Sequence, residues 1–210
     1  MKINENGRTM IETLGVLAVI GILTVGGLGV VNKAVRSQKK GQVIAEATNL
    51  AAVTKKLACQ YSDSYGADDD DVHDGAYGQF LYKSDAYPKG LTYDTSGKYY
   101  TGSLDVKYYL GAYKYDGKRY FYIKISVLDA DACVEVASHD WGGYNSTGIV
   151  GVAIGSDAGD FKSFMRSDDG TNAAAERSTS SSYPVSPDTA ASHCADSNNT
   201  VQLWYAGCSY

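Results

Sequence analysis

Residues 10–31 form a run of 22 in which only Glu12, Thr13 and Thr24 are polar. A helix of about 20 apolar residues is long enough to cross a bilayer, so the run predicts a membrane-spanning helix over 10–31. The chain has 210 residues, which leaves room for one ordinary domain behind it. That remainder is polar and rich in Tyr, Gly, Ser and Asp. With 44% hydrophobic and 20% charged residues overall, the composition is globular rather than disordered. Cys59, Cys133, Cys194 and Cys208 all lie outside the apolar run, and no two of them have the CxxC spacing of a zinc knuckle or a thioredoxin-type site. An even cysteine count behind a membrane-targeting segment reads as two disulfides in an oxidising compartment. Four cysteines allow three pairings.

The net charge of −5 is unevenly placed. Before Lys33, Lys2 and Arg8 balance Glu5 and Glu12; from Lys33 onward 17 basic residues face 22 acidic ones. An acidic head argues against nonspecific nucleic-acid binding, which rests on neutralising phosphates with Lys and Arg. His73, His139 and His193 are the only histidines, so a Cys/His metal site has few ligands, and no metal or cofactor is expected.

Glu12 lies inside the apolar run, where a carboxylate costs about 2.5–3.5 kcal/mol near a bilayer centre. Thr9-Met10-Ile11-Glu12 also reads as a T-x-x-E capping box, which would satisfy the first N–H groups of the helix. Gly21, Gly26, Gly27 and Gly29 weaken the helix, each by around 1 kcal/mol relative to Ala. Beyond the run, Val43, Ala47, Leu50, Thr54, Leu57 and Tyr61 recur in steps of four and three, an amphipathic stripe. Lys39, Lys40, Glu46, Lys55 and Lys56 occupy the other faces. One helix from 10 to 61 would measure about 78 Å. Lys33, Arg36, Lys39 and Lys40 follow the run, and by charge alone that would keep the head on the cytoplasmic side.

Gly7-Arg8-Thr9-Met10-Ile11-Glu12, followed by Thr13-Leu14-Gly15-Val16-Leu17-Ala18-Val19-Ile20-Gly21, resembles the class III signal of type IV prepilins. The resemblance implies a leader 1–7 removed between Gly7 and Arg8 by a prepilin peptidase, then N-methylation. Glu12 matches the family's Glu, the fifth residue of the mature chain. Arg8 departs from the Phe, Met or Leu that family members place there. Gly21 and Gly29 fall where the family carries its helix-interrupting Gly and Pro, which implies local melting between them on assembly. The resemblance further implies a type IVb-like region bounded by Cys133–Cys194, leaving Cys59–Cys208 as the second pair.

In the head, 118–127 is the densest in aromatic and β-branched residues and is the best strand candidate. Weaker strands or a hairpin are expected over 99–110, a short helix over 128–139, and strands over 147–154 and 201–206. Residues 62–96 and the Ser-rich segment 178–192 read as loops. The expected fold is α+β and pilin-like: a long N-terminal helix 8–61, half transmembrane and half amphipathic, packed on an antiparallel sheet in a head spanning 62–210.

No catalytic constellation emerges. Asp68–Asp71 with Asp74 lacks calcium-loop spacing. Cys133 and His139 are six residues apart, which is not a same-face helical spacing. Asn145-Ser146-Thr147 and Asn198-Asn199-Thr200 match the N-glycosylation pattern. The expected function is a structural subunit, not an enzyme: a homo-oligomeric pilus filament serving adhesion, motility or DNA uptake. It would be held in the inner membrane before assembly and be extracellular afterwards, with the pilus assembly machinery as partner. A type II secretion pseudopilin or minor pilin is the alternative, and a membrane-tethered binding or enzymatic domain stands behind it.

Overall fold

The computed structural model describes residues 6–60, 73–74, 76–115, 118–156, 161–165, 183–195 and 197–207. Helix α1 runs Asn6–Gln60. The chain divides into two compact units, Met1–Lys39 and Lys40–Tyr210, whose boundary falls inside this helix.

The expected pilin-like fold with a transmembrane half over 10–31 is corrected here. Among the described residues no helix is long and apolar enough to cross a membrane.

The second unit is organised by an antiparallel sheet. Its strands are β1 (His73–Asp74), β2 (Thr92–Asp94), β3 (Tyr99–Thr101), β4 (Lys107–Tyr115), β5 (Lys118–Leu128), β6 (Ile149–Ser156), β7 (Lys162–Met165) and β8 (Asn199–Ala206). The order is β2-β3-β4-β5-β8-β6-β7, with β1 paired to β4. All the pairings are antiparallel. Tyr115 pairs with Lys118, so only Asp116 and Gly117 separate β4 from β5. Asp-Gly is the dipeptide that two-residue hairpins favour. β8, although last in the chain, lies between β5 and β6. It is buried on both faces, as a central strand requires.

The amphipathic stripe of α1 supplies the helical side of the core. Val43, Ala47, Leu50 and Thr54 are fully buried and Leu57 nearly so. Val43, Ala47, Leu50 and Leu57 share one cluster with Tyr108 and Leu110 of β4, Phe121, Ile123 and Ile125 of β5, and Val201, Leu203 and Tyr205 of β8. Each large aliphatic side chain buried there contributes about 2 kcal/mol. A smaller cluster of Tyr120, Tyr122, Val150 and Trp204 occupies the other face. Gly111 lies opposite Tyr122 in the register, and a Cβ at 111 would collide with the Tyr122 ring. Glycine is the residue that permits this approach.

Two segments expected as loops contain helices. Within 62–96, α2 (Ala76–Lys83) buries Tyr77 and Leu81, one helical turn apart. Within 178–192, α5 (Pro187–His193) starts from Ser186, whose side chain accepts from the Thr189 N–H, with Pro187 in the first turn. Ser before Pro at a helix start is a recognisable signal, hidden here by the surrounding serines. The helix expected over 128–139 is α3 (Ala130–Ser138), capped by Asp129. A four-residue helix, α4 (Tyr144–Thr147), precedes β6.

Candidate assembly interface

The first unit presents apolar side chains to solvent. Leu14 is 61% exposed, Leu17 63% and Val30 69%, with Val16, Val31 and Val35 also open. Leu14 and Leu17 lie three apart on one face of α1, and Val31 and Val35 four apart. Val16 points elsewhere, so the apolar surface is not a single stripe. A helix apolar on several faces is one that is buried in its working state. Glu12 stands exposed two residues before Leu14. Gly15 lies within it, and a Cβ there would meet nothing within 4 Å.

The structure locates the sequence-derived residues as follows. The backbone of Gly7, Arg8 and Thr9 is already helical in α1; their side chains lie outside the described residues. Thr9 is therefore a helical residue of the uncut chain, three positions inside Asn6, and not its N-cap. α1 continues through Gly21, Gly26, Gly27 and Gly29 without a break. Cys133 and Cys194 are bonded, with S–S 2.02 Å across 61 residues, joining α3 to α5. That bond occupies the Cys133 thiol, closing the Cys–His reading. Cys208, the Cys59 side chain and the acidic run 68–71 lie outside the described residues. Asn198 is exposed, but Thr200 of the same glycosylation pattern is fully buried and hydrogen-bonded to the Ser126 hydroxyl at 3.0 Å. Among the described residues no group of three or more His, Cys, Asp or Glu is placed to hold a metal ion.

Three polar side chains, Glu46, Lys40 and Lys55, fasten the second half of α1 to the sheet and its flanking helices. The Glu46 carboxylate accepts from the Tyr108 hydroxyl at 2.7 Å, from the Ser103 hydroxyl at 2.8 Å and from the Ser103 N–H at 3.1 Å. Lys40 pairs with Glu135 of α3 at 2.7 Å, and Lys55 donates to the Thr147 carbonyl at 3.1 Å. Burial raises the Tyr108 pKa well above the ordinary phenol range, and the Glu46 carboxylate adds to the shift. Sequence periodicity had set Glu46 on the solvent side. It flanks the stripe, next to Ala47 and three residues from Val43, and that adjacency was the available signal.

Beside this anchorage, Tyr82, Tyr93, Tyr87 and Tyr100 form a contiguous aromatic group with ring centroids 4.7–6.2 Å apart. Tyr100 donates to the Gly78 carbonyl and sits in the core, so most of this group is packing.

Comparison with protein-family models, curated proteins and solved structures returned no match.

Proposed function

We propose that the chain is a subunit of a type IV pilus-like surface filament, assembled through the N-terminal part of α1, with the sheet unit displayed outward. The carrying observation is the solvent-exposed apolar surface of Leu14, Val16, Leu17, Val30, Val31 and Val35, led by the Glu12 carboxylate. At about 25 cal/mol per Å² of apolar surface removed from water, bundling such helices is strongly favourable.

Cleavage after Gly7 would create an α-amine at Arg8, which titrates near 7.7–8.0 in water. Inside a helical bundle that cation and the Glu12 carboxylate each need a partner, because a buried unpaired charge is costly. Within one helix their geometry is poor, so the amine of a neighbouring subunit is the better match. Glu12 then recruits each incoming subunit and sets its register, with the Arg8 guanidinium as a second cation. Prepilin peptidase and the pilus assembly machinery are the partners this reading requires.

Glu12→Gln tests it. Synthesis and cleavage should persist while filaments recovered by shearing fall sharply. Normal filament yield from Glu12→Gln cells would reduce the carboxylate to a local helix feature.

A further inference from the structure

The two compact units differ in the sign of their charge. Residues 1–39 carry five Lys or Arg against two Glu, whereas residues 40–210 carry 14 against 22 acidic residues. The cations of the first unit are concentrated: Lys33, Arg36 and Lys39 are all exposed, directly behind the apolar Val30 and Val31. Lys33, Arg36 and Lys40 follow i, i+3, i+7 spacing and share one face of α1. At the end of that face, Lys40 already pairs with a head carboxylate, Glu135 of α3. Further carboxylates, Asp131 on the first turn of α3 and Asp188 on that of α5, are exposed.

We infer that the basic segment 33–39 is a docking surface for the acidic head of a second copy of this chain. This rests on the filament reading and extends it from the apolar helix to the heads. The occupant follows from charge complementarity: the +3 unit of one copy meets the −8 unit of the next, and within the second unit the Lys40–Glu135 pair is an example of a helix lysine meeting a head carboxylate. Opposite potentials steer encounter and fix register more than they add affinity. Docking of this kind would orient heads along the filament while the apolar segments supply adhesion.

The experiment is zero-length carbodiimide cross-linking of sheared filaments grown from a mixture of ¹⁴N- and ¹⁵N-labelled subunits, followed by peptide mass spectrometry. Mixed-isotope peptides joining Lys33 or Lys39 to a carboxylate within 40–210 are expected. In parallel, Lys33→Glu with Lys39→Glu should lower filament yield about tenfold, while Lys33→Arg with Lys39→Arg should preserve it. Filaments that lack these mixed-isotope links, or that form normally in the double Glu variant, overturn the inference and leave the filament reading standing. If the links are absent and binding to phosphatidylglycerol vesicles is lost in Lys33→Gln with Lys39→Gln, the segment serves an anionic lipid surface instead, and the inference falls. Wild-type cells that shed no filament at all would overturn both readings.

Discussion

The hydroxyl of Tyr108 on β4 donates to the Glu46 carboxylate on α1 across 2.7 Å, 62 residues apart in sequence. It is one of the polar contacts, with Lys40–Glu135 and Lys55–Thr147, that hold this half of the helix in place. Tyr108 is fully buried, so its hydroxyl must find a partner, and Glu46 supplies a charged one. Tyr108→Phe removes a hydrogen bond to a charged group and should cost about 1.5–3 kcal/mol, measured by urea unfolding. The folded-state pKa of Tyr108 is raised, and the folded pKa values of Tyr100 and Tyr205 are raised by burial too. A raised folded pKa means the native state holds its proton longer than the unfolded chain. The stabilisation is therefore complete below the unfolded tyrosine value of about 10 and is lost as pH climbs above it. Unfolding free energy should fall steeply above that pH in the wild type and less steeply in Tyr108→Phe. Identical slopes would mean that Tyr108 ionises equally in both states.

Val127 occupies the left-handed region at φ 68°, where the β5–β8 register shifts between Ile125 and Leu128. A β-branched side chain is strained there, by about 1–2 kcal/mol. Val127 is also 37% exposed, so little packing would be lost with it. Val127→Asn should raise stability by about 1 kcal/mol, or a few degrees in Tm for a chain of this size. A lower Tm would show that the valine packs more usefully than its exposure suggests.

The Cys133–Cys194 bond closes a separation of 61 residues. Loop-closure entropy gives such a bond about 4 kcal/mol. Cys133→Ala with Cys194→Ala should lose stability of that order in calorimetry. A loss under about 1 kcal/mol would show that the unfolded chain is already restricted by other means.

If the chain is processed as a prepilin, the cut is expected between Gly7 and Arg8, leaving 203 of the 210 residues. In the uncut chain that bond lies within the first turn of α1, where helices fray readily. Intact-mass measurement of the mature protein should find a start at Arg8, and Gly7→Val should block the cut. A chain starting at Met1 would refute the processing step.

Local physics made much of the chain legible before its structure. The stripe from Val43 to Leu57 is a 3.6-residue pattern, and such a pattern is complete within a single helix. The strand at 118–128 likewise carries its own signal, in the density of aromatic and β-branched residues. The Cys133–Cys194 pairing came from family resemblance and not from any local pattern. Glu12 and the apolar residues behind it were visible too, but were read as part of a membrane-spanning helix, and among the described residues no helix is long and apolar enough for that.

Tertiary structure decided what depends on partners distant in sequence. Nothing local to 199–206 says that the last strand enters the sheet between β5 and β6, because that place depends on two edges formed some 80 and 50 residues earlier. Nothing local to Glu46 says that it faces Tyr108 and Ser103, since a residue flanking an apolar stripe turns inward only when polar groups await it. Helices α2 and α5 are seven or eight residues long, too short to hold together alone. They exist because the sheet unit buries Tyr77, Leu81 and Ala190. Periodicity belongs to one element, whereas register, strand order and the pairing of buried polar groups belong to the whole fold, where entropy is offset only when distant segments meet.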